Sequence, residues 1–323
     1  MPEAALGEVS ARSSMSAICD TTTFDWNELR LALMGQRDSR ILPPWVKLPF
    51  LPSVLLEFVY TAQSPDSTAE QVGAILEKDA GLTAALLRHV NAASLGFRQP
   101  ARTAQEAIVR LGLRASTLYL VTTGMSNVLK LMKTRLVNFN EFWCANLERA
   151  LFARRVADLL GADADLAYTA TMLSDCLTPV LVNNATQTYL RFLNLQDVNP
   201  TRITEFEDTE FGWNHAEATA YLLDGWNFPP DIVCCVLLHH QGIAPLSDAR
   251  LRRTAAAAVA LAGLLPDPLR QEPGGVRTLR RIEPKWPAFR LQSIVEQVDT
   301  EFRSVEAGVR NPMPLVRRVR LAR

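Results

Sequence analysis

Apolar residues recur along most of the chain at three- and four-residue spacing, which is the period of an amphipathic helix. Leu82, Leu86 and Val90 show this spacing, and similar segments follow one another through much of the sequence. Capping signals separate the segments: Asp79 precedes the one just named, and Gly161 follows another. No stretch alternates between apolar and polar residues for long enough to predict a strand. The sequence therefore predicts an all-α protein.

Short polar residues followed three positions later by a carboxylate mark several helix starts. The predicted starts of this kind are Ser67 with Glu70, Thr103 with Glu106, and Asn214 with Glu217. Asn140 is predicted to cap a helix over residues 141–160, and Gly112 to end another helix. Asp175 stands immediately before a predicted helix over residues 176–193, where an N-cap role is the simplest interpretation.

Two polar residues lie in the predicted helix over residues 82–93. His89 is interpreted as a structural residue. Asn91, at the end of the helix, is predicted to bond to the backbone of the following loop. A recognition role for the corner at residues 91–96 remains the alternative.

Changes of composition and proline-rich stretches divide the chain into three predicted parts. Residues 1–39 form an N-terminal segment that is expected to be partly flexible, because its beginning is rich in Ala, Ser and Thr. Residues 40–242 form a helical domain, with one lobe at 40–135 and a second at 136–242. The domain begins with a proline-stiffened extended entry. Residues 243–323 form a helical extension that ends in an Arg-rich tail.

The tail carries its arginines among valines and leucines. They are Arg310, Arg317, Arg318, Arg320 and Arg323. A solvated tail is the favoured interpretation. The alternatives are contact with RNA, DNA or acidic lipid, and a short amphipathic helix that docks on a partner.

Composition and charge narrow the class of protein. Lys plus Arg and Asp plus Glu both total 34, so the chain has no overall basic charge that would favour a nucleic-acid partner. The apolar run 255–265 is shorter than the roughly 20 residues of a membrane span, which predicts a buried helix. No secretion signal is expected at the N-terminus. The five cysteines are scattered, which favours a reduced cytoplasmic location, and Cys234 and Cys235 are predicted to be buried and inert.

Short motifs follow one another in a fixed order between residues 40 and 242. They are Asp79-Ala80-Gly81-Leu82, Leu86-Leu87-Arg88-His89-Val90-Asn91, Ala107-Ile108 with Leu111-Gly112, Met172-Leu173-Ser174-Asp175, Phe211-Gly212-Trp213-Asn214-His215-Ala216-Glu217, Trp226-Asn227-Phe228-Pro229 and His239-His240. In order and spacing they resemble the HDOD domain, although Ala80 stands where that family usually has proline. The resemblance implies a multi-helical HD-like fold with two helical lobes and a C-terminal extension. It also implies a bacterial regulatory domain, related in fold to the HD and HD-GYP phosphohydrolases.

HD phosphohydrolases bind one or two metal ions, which activate water and bind phosphate oxygens. The resemblance places the first family histidine at Ala145, the histidine of the His-Asp pair at Ser174, and a late aspartate near Gly263. These ligands are therefore missing. The residual candidates for metal binding are Asp175, His215, His239 and His240. Because neighbouring residues on a helix point about 100° apart, His239 and His240 are not expected to serve the same ion.

For these candidates, the sequence favours a structural role over metal binding. His215 follows the cap Asn214 and is interpreted as a partly exposed residue of a first turn or as a hydrogen-bonded remnant. His239 and His240 end a predicted helix, where a cation is favourable to the helix dipole. The sequence thus favours no resident cofactor, with weak binding of a divalent metal as the exception.

The favoured function is a non-catalytic regulatory module of a bacterial signalling pathway that acts through protein contacts. Its expected partner is a signalling protein of the two-component or cyclic-di-GMP kind, and no membrane span is expected. The first alternative is a residual metal-dependent phosphohydrolase that acts on a nucleotide or phosphodiester. The second alternative is a sensor that binds a nucleotide or phosphate without turnover.

Overall fold

The computed structural model describes residues 24–35, 46, 51–64, 66–92, 97, 99–130, 136–305 and 311–322. Over these ranges every regular element is a helix and no strand occurs, which confirms the all-α prediction. In chain order the helices are α1 (Trp26–Met34), α2 (Ser53–Ala62), α3 (Ala69–Leu76), α4 (Ala80–Val90), α5 (Ala104–Leu111), α6 (Leu113–Lys130), α7 (Phe139–Leu160), α8 (Ala164–Ser174), α9 (Thr178–Asn184), α10 (Thr186–Val198), α11 (Ile203–Phe211), α12 (His215–Gly225), α13 (Pro230–Leu237), α14 (Ala244–Ser247), α15 (Ala255–Gly263), α16 (Gly275–Ile282), α17 (Leu291–Val305) and α18 (Leu315–Leu321). None of these helices is both long enough and apolar enough to cross a membrane.

Several predicted features lie outside the described residues. They are the beginning of the N-terminal segment (1–23), most of the proline-rich entry, residues 93–96 of the corner after α4, Arg310 and Arg323.

Helices α2 to α6 form a first lobe, whose buried apolar residues belong to the same continuous core as those of the rest of the described chain. α2 packs against α3 and α6, α3 packs against α5, and α4 packs against α5 and α6. The apolar residues on the inner faces are buried, with Leu55, Phe58 and Leu76 fully inaccessible to solvent. Gly124 allows α6 to approach α2 closely, because a Cβ at this position would collide with the side chain of Leu55.

Two polar residues of α4 have structural partners inside this lobe. Asn91 Nδ2 donates to Ala101 O at 2.9 Å, and Ala101 N donates to Asn91 Oδ1 at 2.6 Å, so Asn91 bonds to the following loop as predicted. His89 stacks on Tyr119 with ring centroids 4.0 Å apart. Both side chains thereby fix α4 to its neighbours.

A second lobe is built on the long helix α7, whose side chains are buried along most of its length. α8 and α15 pack along α7, α13 packs against α8 and α15, and α12 packs against α13. α15 contains only Ala, Val, Leu and Gly and is buried throughout, as predicted from the apolar run. Contacts between α6 and α8 join this lobe to the first.

Several helices begin or end at the predicted capping residues. The predicted caps that the structure confirms are Asp79, Thr103, Gly112, Gly161 and Asn214. The capping box predicted at Ser67 is formed instead by Thr68 and Gln71, because Thr68 is the residue with extended backbone geometry. For the same reason Asn138, rather than Asn140, caps α7.

The C-terminal extension packs on the second lobe. α15 and α17 lie against α7, and α18 packs against α17. Leu315 and Val319 are buried, and Arg318 is only 9% exposed, so the interpretation of a solvated tail is wrong for α18. The physical reason is that Arg318 forms an ion pair with the buried carboxylate of Glu148. The domain limits at residues 39, 135 and 242 remain predictions.

Candidate metal centre

Asp175, His215, His239 and His240 converge on one point inside the second lobe. Asp175 directly follows α8, His215 is the first residue of α12, and His239 and His240 lie in the turn after α13. Each offers one ligand atom, and the four ligand atoms lie within 4.8 Å of one another. No member of the group is more than 3% exposed. Residues that are up to 65 positions apart in the sequence thus form one buried cluster.

The distances within the cluster suit a small cation. His215 Nε2 lies 3.2 Å from His239 Nε2, 3.0 Å from His240 Nε2 and 3.3 Å from Asp175 Oδ1. His239 Nε2 lies 3.9 Å from Asp175 Oδ1. Zinc bonds to nitrogen and oxygen of about 2.0–2.1 Å place the ligand atoms of a tetrahedral site roughly 3.3 Å apart. The three distances from His215 Nε2 match this spacing, while the group as a whole extends to 4.8 Å, so the ligand atoms would have to move slightly closer to bind one ion together.

The other nitrogen of each imidazole is held by an acceptor. His215 Nδ1 lies 2.6 Å from Glu207 Oε2, and His239 Nδ1 lies 2.6 Å from the carbonyl oxygen of Val236. His240 Nδ1 lies 2.8 Å from Glu272 Oε1. A proton on Nδ1 that is donated to such an acceptor leaves the Nε2 lone pair free for a metal and fixes the ring orientation.

The expectation that His239 and His240 cannot face the same ion is wrong. It assumed that both residues belong to a helix, but α13 ends at Leu237 and both histidines lie in the following turn. Their ring centroids are 4.1 Å apart, and both Nε2 atoms point towards His215. Their interpretation as cations at a helix end is also wrong, because burial lowers the pKa of both imidazoles.

The interpretations of Asp175 and His215 also change. Asp175 is not the N-cap of a helix over residues 176–193, since that segment is divided into α9 and α10 and Leu177 precedes α9. Its carboxylate points into the cluster instead. His215 is a hydrogen-bonded residue of a first turn, as one interpretation had it, but it is fully buried rather than partly exposed.

The two carboxylate oxygens of Asp175 face different groups. Oδ1 faces the imidazoles and also accepts from Gln271 Nε2 at 3.2 Å. Oδ2 accepts from Arg149 Nη1 at 2.6 Å, and both side chains are 2% exposed. The second amine of Arg149 lies 3.0 Å from Asp267 Oδ2 and 3.1 Å from the carbonyl oxygen of Leu265. Arg149 therefore holds Asp175 in the orientation that presents Oδ1 to the imidazoles.

The charges around the centre leave a deficit of two positive charges. The carboxylates within the buried network belong to Asp175, Glu207, Asp267 and Glu272. They face two guanidinium groups, because Arg149 is buried with Asp175 and Asp267, and Arg202 pairs with Glu272 at 3.0 Å. Buried charges are costly unless they are compensated. A divalent cation bound by neutral imidazoles would balance this network.

Without a cation, a proton takes up part of that deficit. Burial lowers the pKa of His239 to about 4, and burial and its neighbouring imidazoles hold the pKa of His240 well below the usual range. Burial also opposes a charge on His215, but the Glu207 carboxylate and the bond to Asp175 raise its pKa to about 10. The metal-free cluster thus contains one imidazolium, His215, between two neutral imidazoles.

Sequence reasoning missed the groups that orient the ligands, namely Arg149, Glu207, Asp267, Gln271 and Glu272. Glu207 lies on α11 among other acidic residues, and nothing in its spacing distinguishes it from an exposed residue of the helix. Arg149, by contrast, lies on the predicted helix over residues 141–160, between the apolar pairs Ala145/Leu147 and Ala150/Leu151. A buried arginine needs a carboxylate partner, so this position carried a usable signal.

Gly263 allows the backbone of His239 to approach α15. A Cβ at position 263 would lie well inside contact distance of the His239 carbonyl oxygen. The late aspartate that the family resemblance places near this position is thus replaced by a residue that serves close packing.

We expect Gly263→Ala to displace the turn that carries the two histidines. The cost should be about 1–3 kcal/mol in the free energy of unfolding, which is typical of overpacking an interior, and it is measured by urea denaturation. Gly225→Ala is the matched control, since Gly225 also ends a helix but a Cβ added there would meet no atom within 4 Å. Equal stability of the two variants would contradict the role assigned to Gly263.

The comparisons with known proteins agree with this architecture. The family model of the HDOD domain matches residues 48–242, which is more than half of the chain. An uncharacterized protein of Treponema pallidum is 26% identical over 198 residues, which cover 60% of this chain and 38% of that protein. The chain therefore spans well under half the length of this curated relative.

Two solved structures share the fold. A "putative phosphohydrolase" from Shewanella amazonensis superposes with a TM-score of 0.56 at 21% identity, covering 81% of this chain and 87% of that one. A "putative signal transduction protein" from Marinobacter aquaeolei superposes with a TM-score of 0.57 at 18% identity, covering 87% of this chain and 64% of that one. With the match of the family model, the helical lobes and the order of the motifs lead to one conclusion: the chain belongs to the HDOD domain family.

Proposed function

We propose that the protein is a non-catalytic regulatory module of a bacterial signalling pathway, with one divalent cation held in its core. The observation that carries this proposal is the convergence of four buried candidate ligands on one point. Four protein ligands around one ion are typical of structural zinc sites, whereas catalytic zinc sites keep one position open for water or substrate. An ion in this position would stabilise α8, α12 and the turn after α13 without performing chemistry on a substrate.

The burial of the ligands supports the same interpretation. Asp175 and the three histidines are at most 3% exposed. Two surface grooves among the described residues are lined elsewhere. One lies at the C-terminal end of α7 beside Trp286, and the other lies between residues 24–27 and 229–231. Neither groove is lined by a residue of the centre, and the burial of the four ligands counts against both alternatives.

A signalling partner fits the family and one of its structural neighbours. The Marinobacter protein of the same fold is named as a signal transduction protein. By this analogy the partner belongs to a two-component or cyclic-di-GMP pathway, and the contact with it transmits the state of the module. This assignment of the pathway rests on analogy of fold and family.

The hydrolase alternative retains one specific observation in its favour. A metal-dependent hydrolase requires its ligands to converge, and the four ligand atoms lie within 4.8 Å of one another. The Shewanella protein of the same fold is named as a phosphohydrolase. A measurement of turnover therefore belongs beside the measurement of metal content.

We expect about one equivalent of zinc, iron or manganese per chain when the protein is purified without chelators or a His-tag. The metal is measured by inductively coupled plasma mass spectrometry. Asp175→Ala should abolish binding, because it removes the only carboxylate ligand. Asp165→Ala is the control, since Asp165 lies on α8, the helix that Asp175 follows, and its side chain is 69% exposed.

The metal-loaded protein is then incubated with bis(p-nitrophenyl) phosphate and with cyclic-di-GMP. No turnover above that of the metal-free protein is expected. Steady hydrolysis that disappears in Asp175→Ala would reject the non-catalytic assignment and establish the hydrolase. Absence of metal from the wild-type protein, even after incubation with these ions, would reject the metal centre.

A further inference from the structure

The C-terminal helix α18 is fixed to α7 through a buried carboxylate. Glu148 is inaccessible to solvent. Its Oε1 accepts from Asn311 Nδ2 at 3.0 Å and from the backbone nitrogen of Leu315 at 2.7 Å. Its Oε2 forms an ion pair with Arg318. These three partners of Glu148 all lie within residues 311–318, so one carboxylate holds the start of the helix and the segment before it.

The next residue of α7 reaches the metal centre. Arg149 bonds to Asp175, which is one of the four candidate ligands, and also to Asp267 and the carbonyl oxygen of Leu265. One turn of α7 thus carries two consecutive charged residues that are both buried. Glu148 fixes the C-terminal helix, and Arg149 fixes a ligand of the centre.

A loop over residues 265–272 connects the same two places a second time. At its beginning, Arg318 donates to the carbonyl oxygen of Pro266. At its end, Gln271 donates to Asp175 at 3.2 Å, and Glu272 lies 2.8 Å from His240. The loop is therefore held by α18 on one side and by two candidate metal ligands on the other.

We propose that docking of the C-terminal helix and occupancy of the metal centre are coupled, with residues 265–272 and the Glu148-Arg149 pair as the link. This inference rests on the metal centre of the proposed function. A bound ion fixes Asp175 and His240, hence the loop, and a fixed loop presents Pro266 to Arg318. Loss of the ion loosens these contacts and favours release of α18.

Coupling of two sites is reciprocal, because each ligand changes the affinity of the other by the same factor. The docked helix must therefore raise the affinity for the metal by the factor by which the metal favours docking. Release of α18 would expose the apolar side chains of Leu315 and Val319 together with the acidic surface at Glu148. Whether the core holds a metal ion would thus determine whether these side chains are exposed at the surface.

The first test follows the helix while the metal is varied. The full-length wild-type protein is compared with and without saturating zinc by hydrogen–deuterium exchange. We expect zinc to slow amide exchange in residues 315–321 by about tenfold, within the range of roughly 5–150-fold that is typical of linked sites. In His240→Ala, which lacks one ligand and the contact with Glu272, the effect of zinc on this segment should disappear.

The second test follows the metal while the helix is varied. We expect Arg318→Met to raise the zinc dissociation constant by about the same tenfold factor, as measured by competition with a chromophoric chelator. Arg317→Met is the matched control, because Arg317 is exposed on the same helix. Its zinc affinity should equal that of the wild type.

The outcomes separate this inference from the function on which it rests. If the wild type binds zinc, but zinc leaves exchange in residues 315–321 unchanged, the coupling is rejected while the metal centre stands. Equal zinc affinity of a folded Arg318→Met variant and the wild type rejects the coupling as well. If the wild type takes up no zinc, the metal centre itself is rejected and the coupling with it. The exchange experiment uses the wild type, so it decides the question even if Arg318→Met does not fold.

Discussion

Replacing Arg149 by methionine should lower the free energy of unfolding by about 3–5 kcal/mol, which is the usual cost of removing one partner from a buried ion pair. Methionine keeps much of the volume of the side chain and removes its charge. Asp175 and Asp267 would then share no counterion, although their side chains are only 2% and 4% exposed. The backbone carbonyl of Leu265 would also lose a donor.

The measurement is denaturation of the metal-free protein in guanidinium chloride with a chelator present. Arg155→Met is the control on the same helix, because Arg155 pairs with Glu301 while its own side chain is 40% exposed. A pair exposed to this degree contributes at most about 1 kcal/mol. If both variants lose the same free energy of unfolding, the buried ion pairs of Arg149 contribute no more to stability than the exposed pair of Arg155.

If the chelator is omitted, retention of stability in Arg149→Met together with uptake of additional metal would have a different meaning. It would indicate that a cation can replace the guanidinium between Asp175 and Asp267. The structure favours the guanidinium over a metal ion between these carboxylates, because the guanidinium already bridges both of them at 2.6 and 3.0 Å. We expect the arginine to be the resident cation at this position, with the metal confined to the side of Asp175 that faces the imidazoles.

The helices were predictable because their determinants are local. The period of apolar residues marks each helix, and a capping residue such as Asp79 or Asn214 acts within its own first turn. Errors of one or two positions arose where two polar residues compete for the cap, as Ser67 and Thr68 do. The choice between them depends on which residue has extended backbone geometry, and the side-chain pattern does not contain that information.

The four residues that cluster could be named from the motifs, but their geometry could not be predicted. The orientation of His239 and His240 depends on where α13 ends, since within a helix they would diverge and in a turn they converge. A shift of three residues in one helix boundary therefore decides whether three imidazoles or two can face an ion. Boundaries are the least certain part of any prediction from sequence.

The orienting groups could not be found because they come from distant parts of the chain. Glu207 lies on α11 and Glu272 lies in the loop after α15, yet each accepts from the Nδ1 side of a different histidine. No motif spacing connects them to the centre. Glu272 also lies beyond residue 242, where the match to the family model ends. The C-terminal extension thus contributes to the site as well as to the packing of the lobe.

Removal of the central imidazole should also weaken metal binding strongly. We expect His215→Ala to weaken zinc binding by more than about 100-fold, beyond the 10–100-fold that is typical when only a hydrogen-bond partner of a ligand is lost. His215 Nε2 is the atom closest to both other imidazoles, at 3.2 and 3.0 Å. His89→Ala is the control, because this histidine stacks on Tyr119 in the first lobe and should leave zinc affinity unchanged.

His215 should also make zinc affinity depend on pH. In the metal-free protein the pKa of His215 is raised to about 10, so below that pH an incoming ion must displace a proton from Nε2. The apparent affinity should therefore rise about tenfold per pH unit between pH 7 and 9. The stability of the metal-free protein should change in the opposite direction. The contribution of a raised pKa is complete below the unfolded value near 6.5 and is lost as the pH rises towards about 10. Zinc affinity that does not change over this range would show that His215 is neutral before the ion arrives, and that the charge deficit of the core is balanced at another group.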